Sequence, residues 1–213
     1  VITYNIMNVL HVASPLLYAL FVYCIQDFKT IQAPWFSTLR TTYNMFMSAW
    51  SGYMLYVITL ATYNDGKFTD WCTPYLSYTG IDMFLFSKYV EWTDTLLLVL
   101  SGKKISRLQY LHHISTAVVT YTNLTIPSLF VFMGSNCFVH CIMYWYFAFP
   151  RGTLRPYRKW ITVTQIAQHA LCLYAIGYTY STRNCYQSIG LHVGLGMYTM
   201  YFVLFLSFYV QLY

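Results

Sequence analysis

Charged residues are scarce in this sequence, at 8% of 213 residues. A soluble domain carries about 25%. Hydrophobic residues make up 58%, and 23 tyrosines and 15 phenylalanines supply side chains that favour membrane interfaces and aromatic interiors. This composition excludes an ordinary soluble domain and predicts an integral membrane protein.

Linkers are also absent, since the sequence has no Gly/Ser-rich tract, low-complexity segment or block of like charges. We therefore predict one domain over residues 1–213 with an all-α integral membrane fold. Seven segments are long enough to span a bilayer. These segments cover residues 6–26, 40–62, 79–101, 107–124, 127–148, 158–180 and 188–211.

Positive charge is distributed unevenly over the connections between these segments. Nine lysines and arginines, Arg40 among them, follow segments one, three and five, against two after segments two and six. By the positive-inside rule the first set is cytoplasmic, the N-terminus is lumenal and the C-terminus is cytoplasmic. Topology alone explains this charge, but a cationic rim would also attract a phosphate-bearing substrate. The rim comprises Lys103, Lys104, Arg107, Arg155, Arg158 and Lys159.

The six cysteines show no CxxC spacing, so no zinc site is expected from them. Cys72 and Cys185 lie in two lumenal connections, where an oxidising compartment allows a disulfide between them. Two free thiols are the alternative. The other cysteines lie within predicted helices and are interpreted as core residues: Cys24, Cys137, Cys141 and Cys172.

Ionisable residues inside the predicted spans need an explanation, because each costs about 2.5–3.5 kcal/mol at the bilayer centre. Lys88, Glu91 and Asp94 occur at i, i+3 and i+6 of 88-KYVEWTDT-95 and lie along one side of a helix. They can form a buried structural strut, with Lys88 paired to Glu91, or they can belong to a functional site.

Polar residues of four segments lie at a similar depth in the cytoplasmic half of the membrane. Counting about 1.5 Å per residue puts them roughly 8–15 Å from the cytoplasmic ends of their helices. A lone membrane histidine commonly bonds a neighbouring helix, but several at one depth predict a shared cavity. The residues concerned are Glu91, Asp94, His112, His113, His140, Gln165, Gln168 and His169.

Imidazoles in such a cavity can act as nucleophiles, general bases or metal ligands. Six histidines are too few for the histidine boxes of membrane di-iron enzymes. Adjacent His112 and His113 point about 100° apart on a helix, which disfavours joint coordination of one zinc ion. We expect no metal and no tightly bound cofactor, and we favour a nucleophilic or basic imidazole oriented by Asp94 or Glu91.

Four motifs resemble those of the fatty-acid elongase family, the ELO or very-long-chain fatty-acid elongation proteins. They are 88-KYVEWTDT-95 for KxxExxDT, 109-QYLHH-113 for HxxHH, 136-NCFVHCIMYWYF-147 for NxxxHxxMYxYY and 162-TVTQIAQ-168 for TxxQxxQ. The pair 43-YN-44 also has a counterpart in the family. The histidine box begins with Gln109 instead of histidine, a variant that also occurs within the family.

The resemblance implies a fold and an activity. Segments 2–7 would form a ring around a narrow substrate tunnel, with segment 1 outside. The protein would be a multi-pass 3-ketoacyl-CoA synthase of the endoplasmic reticulum membrane that condenses acyl-CoA with malonyl-CoA and releases CO2 and CoA. Expected partners are these two thioesters, membrane lipid, a ketoacyl reductase, a dehydratase and an enoyl reductase, and a second copy in a homodimer. No nucleic-acid partner is expected.

The resemblance also implies residue roles. His112 would be the nucleophile that forms an acyl-imidazole, and His140 would hold or activate the malonyl thioester. His113 and Asp94 would orient the imidazoles, with Glu91 supporting them. The other motif residues expected to support the site or bind substrate are Lys88, Gln109, Asn136, Tyr144, Tyr146, Gln165 and Gln168. His169 joins this set by its depth in the membrane.

Two other classes of protein stay open. A non-catalytic membrane scaffold could keep the elongase fold, with Gln109 marking lost activity. A seven-helix receptor or retinal protein is the second class, but the last segment has no lysine for a Schiff base. A visible absorption band would identify a retinal protein.

Overall fold

The described part of the chain is helical. The computed structural model describes residues 2–66, 68, 71–72, 78–124, 126, 128–183, 185 and 188–213. Its α-helices are α1 (Ile2–Ile25), α2 (Pro34–Asn64), α3 (Tyr78–Val90), α4 (Trp92–Leu100), α5 (Arg107–Thr122), α6 (Leu129–Ala148), α7 (Arg158–Ser181) and α8 (Ile189–Leu212). A short 3₁₀ helix, Arg155–Tyr157, precedes α7.

Six of these helices form a closed ring. Going round it, α2 contacts α6, α6 contacts α7, α7 contacts α8, α8 contacts α5, α5 contacts α3, and α3 contacts α2. Helix α4 continues the course of α3, and α1 lies outside against α5 and α4. This arrangement agrees with the predicted ring of segments 2–7 with segment 1 outside.

Two helices of the described chain are long and apolar enough to cross a membrane, Leu129–Ala148 and Ile189–Leu212. A shorter apolar stretch, Val9–Ile25, lies in α1. The sequence predicted seven spans. The remaining helices are shorter or more polar, because a helix break divides one predicted span and several others line a polar cavity.

The helix break falls within the third predicted span, at Glu91. Helix α3 ends at Val90 and α4 begins at Trp92. At the break the Asp94 amide donates to the Glu91 carbonyl at 3.0 Å, three residues back instead of four. The Val90 carbonyl accepts instead from the Tyr43 hydroxyl of α2, at 3.1 Å. Tyr43 thus satisfies a carbonyl that would otherwise be left without its helical partner.

The second predicted span begins earlier than expected. Helix α2 starts at Pro34, a favoured residue for a first helical position, so Arg40 lies within the helix. The sequence pattern counted Arg40 among the cations of the connection after segment one, and that assignment is wrong. Hydropathy marks only the apolar part of a helix, whereas α2 extends past that part. Arg40 Nη1 donates to Ser101 Oγ at 3.1 Å, which joins α2 to the end of α4.

Cys72 and Cys185 are joined by a disulfide, with Cα atoms 4.4 Å apart. The bond ties the α2–α3 connection to the α7–α8 connection. Trp71 beside it packs edge-on against rings of α6 and α7. Cys24 is exposed, although the sequence predicted a core residue, because α1 has only one face against the ring.

A hydrophobic core fills the half of the ring nearest the disulfide. It takes side chains from the C-terminal halves of α2 and α7 and the N-terminal halves of α3, α6 and α8. Members include Met54, Ile58, Phe84, Leu129, Phe132, Met133, Cys172, Ile176 and Leu191. The other half of the ring contains the polar residues.

Candidate active site

A cavity of about 500 Å³ lies in the polar half of the ring, walled by α2 and α4–α8. Most of the predicted site residues line it: Glu91, Asp94, Lys103, Gln109, His112, His113, Asn136, His140, Tyr144, Tyr146, Gln165, Gln168 and His169. Apolar side chains such as Leu97, Val139 and Phe205 complete the wall. The polar residues that share a depth in the sequence therefore share a cavity in the structure.

A buried polar network joins the helix break to α6. Lys88 Nζ donates to Glu91 Oε1 at 2.7 Å and to Asn136 Oδ1 at 2.8 Å. The predicted pairing of Lys88 with Glu91 is therefore confirmed. Lys88 also lies 4.3 Å from the centroid of the Phe84 ring, and it stands behind Glu91 instead of lining the cavity. Lys88 therefore contacts two residues of the cavity wall, Glu91 and Asn136, without lining the cavity itself.

The same network occupies both ring nitrogens of His140. Nδ1 lies 3.3 Å from Glu91 Oε1, and Nε2 lies 3.2 Å from Asn136 Nδ2. An ionised carboxylate only accepts, so Nδ1 carries the proton. Since Lys88 donates to Asn136 Oδ1, the Asn136 amide turns its NH2 to Nε2, which accepts. Glu91 and Asn136 therefore fix the orientation of the His140 ring between them, with the proton on Nδ1.

Three further imidazoles keep a nitrogen unused. Nδ1 of His112, His113 and His169 is buried and has no hydrogen-bond partner among the residues the structure describes. The His112 ring lies edge-on to His113, with centroids 5.5 Å apart, and to Tyr201, at 5.0 Å. The His169 ring packs on Phe205, at 5.0 Å. Aromatic packing thus positions these rings, and each keeps one enclosed nitrogen without a described hydrogen bond.

Asp94 was expected to orient an imidazole, but its described partner is a tyrosine. The Tyr144 hydroxyl donates to Asp94 Oδ2 at 2.5 Å. The buried Tyr144 ring in turn packs edge-on against His140, with centroids 5.5 Å apart. Asp94 therefore reaches the imidazoles through Tyr144. The spacing within one motif could not reveal this partner, which comes from α6.

The predicted basic rim is mostly separate from the cavity. Lys103 lines it, whereas Lys104, Arg155, Arg158 and Lys159 do not. Arg158 and Lys159 lie over the rings of Tyr213 and Tyr209 at the end of α8. Arg107 lines a shallow groove beside α1.

Arg40 lines the cavity and was not among the predicted site residues. Asn44 lies one turn further along α2 and also faces the cavity, and its Nδ2 donates to the Arg40 carbonyl at 2.7 Å. The i, i+4 spacing to the 43-YN-44 pair is a signal that could have indicated Arg40.

One group of side chains has the composition of a metal site. Glu91, His112 and His140 each offer one ligand atom, and these atoms lie within 4.8 Å of one another. Imidazole and carboxylate are common zinc ligands. However, the Lys88 ammonium lies 2.7 Å from the same carboxylate, so a second cation there would meet like charge. The expected absence of a metal stays a prediction.

These observations define a class: an all-helical protein whose helix ring encloses a cavity lined by four imidazoles. The family model described as "ELO: GNS1/SUR4 family" matches residues 5–213, and this chain belongs to that family. Family membership and the apolar helices indicate a membrane protein.

Several curated proteins are similar to this chain. "Putative fatty acid elongase 2" of Schizosaccharomyces pombe is 30% identical over 175 residues, which are 72% of this chain and 48% of that protein. "Long chain fatty acid elongase 2" of Caenorhabditis elegans is 31% identical, covering 70% of this chain and 58% of that protein. "Very long chain fatty acid elongase 6" of Drosophila melanogaster is 31% identical, covering 70% and 52%.

The matched part of this chain spans about half the length of these curated relatives. No solved structure matches it.

Proposed function

We propose that this protein is the condensing enzyme of fatty-acid elongation, a very-long-chain 3-oxoacyl-CoA synthase. It would join an acyl-CoA and malonyl-CoA to give 3-ketoacyl-CoA, CO2 and CoA. The observation that carries the proposal is the cavity that holds His112 beside the Glu91–His140 pair. Membership of the family and the names of the relatives support the choice of substrates.

In the first step an imidazole nitrogen of His112 attacks the thioester carbonyl of acyl-CoA. A C–N bond forms, the C–S bond breaks, and CoA leaves with the proton lost from the imidazole. His112 lines the cavity and its ring packs on Tyr201, and both observations support this role, because a nucleophile must reach the substrate from a defined position.

In the second step malonyl-CoA loses CO2, and the resulting enolate attacks the acyl-imidazole. A C–C bond forms, the C–N bond breaks, the His112 imidazole takes up one proton from water, and 3-ketoacyl-CoA is released. His140 and Asn136 adjoin this reaction: one N–H of Asn136 contacts His140, and the second is available to the enolate oxygen. Gln168 lines the same cavity and can supply a further donor.

The cations of the cavity suit the phosphates of CoA. Arg40 and Lys103 line it from α2 and from the α4–α5 connection, so they can pair with phosphate oxygens while the thioester reaches His112. The proposal includes seven membrane spans with a cytoplasmic C-terminus, and location in the endoplasmic reticulum. It also includes the three other enzymes of the elongation cycle as partners, and a homodimer.

Condensation by the purified protein tests the proposal. The protein is mixed with labelled malonyl-CoA and a panel of saturated and polyunsaturated long-chain acyl-CoAs, and labelled 3-ketoacyl-CoA is followed. We expect product from the wild type and a loss of about 100-fold or more for His112→Ala and for His140→Ala. His192→Ala, on α8 outside the cavity, is the matched control.

The scaffold alternative predicts a different result from the same assay. An intact wild type that forms no product from any substrate would favour a non-catalytic scaffold. In that case Gln109→His becomes the first variant to examine for recovered activity.

A further inference from the structure

Helix α1 lies outside the ring, yet one of its side chains reaches the histidine box. Tyr18 is fully buried, and its hydroxyl lies 2.8 Å from Thr95 Oγ1 of α4. Its ring stacks on the His113 ring of α5, with centroids 6.0 Å apart and 29° between the planes. One residue of α1 therefore contacts both of the helices that carry the first two motifs.

The Thr95 hydroxyl has a second partner on the cavity wall. Gln109 Nε2 donates to Thr95 Oγ1 at 3.3 Å. A hydroxyl donates one hydrogen bond and accepts two, so Tyr18 and Gln109 can share this oxygen. Thr95 is fully buried, so water does not substitute for either partner. Tyr18, Thr95 and Gln109 form a hydrogen-bonded chain from outside the ring to the cavity.

Gln109 is the position at which the histidine box departs from HxxHH. One of its N–H groups is used on Thr95, which leaves the second N–H and the amide oxygen for the cavity that Gln109 lines. Residues at i, i+3 and i+4 share a helix face, so this amide stands beside His112 and His113. The bond to Thr95 selects one orientation of a side chain that otherwise samples several rotamers.

We propose that Tyr18 is a positioning residue of the condensation site. Through Thr95 it holds the Gln109 amide toward the substrate thioester, and through its ring it holds His113. The inference rests on the proposed condensing activity. In this arrangement α1 supports the active site directly, in addition to any role in the membrane.

Tyr18→Phe tests the hydroxyl, because the variant keeps the ring that stacks on His113. We expect kcat to fall about fivefold to tenfold, the equivalent of one buried hydrogen bond, with KM for both thioesters within about twofold of wild type. Thr95→Val should have the same effect, whereas Thr95→Ser keeps the hydroxyl and should retain the wild-type rate. Tyr23→Phe, on the exposed face of α1, is the matched control.

Coupling to Gln109 separates positioning from simple packing. In a Gln109→Leu background, Tyr18→Phe should cause no further loss of kcat, because the Gln109 amide that Tyr18 positions is already removed. Equal losses of stability in both backgrounds, with kcat per folded molecule unchanged by Tyr18→Phe, would overturn the inference.

Thermal unfolding in detergent gives a second double-mutant cycle, which does not depend on activity. It compares the Tm of the wild type, Tyr18→Phe, Gln109→Leu and the double variant. No described hydrogen bond joins Tyr18 directly to Gln109, so non-additive changes in Tm are expected to pass through Thr95. Additive changes would reject the hydrogen-bonded chain. A wild type without condensation would instead reject the proposed function. The Tm measurements would still test whether Tyr18, Thr95 and Gln109 are linked by hydrogen bonds.

Discussion

The two halves of the helix ring share helices α2, α6, α7 and α8, but one half encloses a packed core and the other a cavity. The half beside the disulfide is filled with side chains such as Phe132 and Met133, which are almost fully buried. The other half encloses a cavity of about 500 Å³ lined by imidazoles, carboxylates and amides. Helix α6 passes through both, from Met133 in the core to His140 at the cavity.

The difference shows how one bundle can separate stability from chemistry. In the apolar half each side chain contributes through contact area and packing. In the polar half, Glu91 and Lys88 are buried in a network of matched partners, whereas His112 keeps an unpartnered nitrogen. Paired groups fix the geometry of the polar half, and the unpartnered nitrogens keep unused hydrogen-bonding capacity.

The largest effect is expected when the buried carboxylate of Glu91 in the polar half is replaced by an apolar side chain. Glu91→Leu leaves Lys88 buried without its carboxylate, so we expect a loss of about 3–5 kcal/mol in the free energy of unfolding and no detectable condensation. Thermal unfolding in detergent and product formation measure the two effects.

The double variant Glu91→Leu with Lys88→Met is the control for that test. Removing both charges should recover most of the lost stability without recovering activity, because His140 still lacks its carboxylate. A double variant less stable than Glu91→Leu alone would contradict the buried-pair account.

Truncating a side chain in the apolar half should lower stability without lowering the rate per folded molecule. Met133 is fully buried and does not line the cavity, so Met133→Ala should lower the free energy of unfolding by about 2–5 kcal/mol. The rate per folded molecule should stay near wild type. Unfolding curves and active-site-normalised rates measure this, and a selective loss of rate would show that the two halves are not independent.

The cations can be compared in the same way. Arg40 lines the cavity, whereas Arg158 lies over Tyr213. We expect Arg40→Ala to raise KM for the CoA thioesters about tenfold at low salt, since a charge-assisted contact to phosphate is lost, and to raise it less at high salt. Arg158→Ala should leave KM near wild type. Equal effects of both variants would indicate general attraction by the rim.

The smallest effect is expected at the helix break between the halves. Tyr43→Phe leaves the Val90 carbonyl without its described partner, so the free energy of unfolding should fall by about 1 kcal/mol, with a modest loss of rate as Glu91 shifts. Tyr53→Phe, on the exposed face of the same helix, is the matched control. A stability unchanged by Tyr43→Phe would show that the break needs no support from α2.

Sequence patterns predicted many of the residues that line the cavity but not which side chains contact one another. The shared depth of His112, His140 and Gln168 correctly placed them in one cavity, because helical rise converts residue number into height. The partner of Asp94 was missed, because Tyr144 comes from a helix whose rotation is set by packing. Arg40 was missed because hydropathy does not mark where a helix extends past its apolar part.

The sequence by itself determined the helical class, the family and most of the polar residues that line the cavity, because these follow from composition, periodicity and motif spacing. Only the tertiary structure decided the break at Glu91, the turn of Asp94 toward Tyr144 and the contact of Tyr18 with two motifs. Those features depend on hydrogen bonds between helices far apart in the chain. No local pattern contains them, since a side chain finds its partner only when packing brings its helix to the right neighbour at the right rotation.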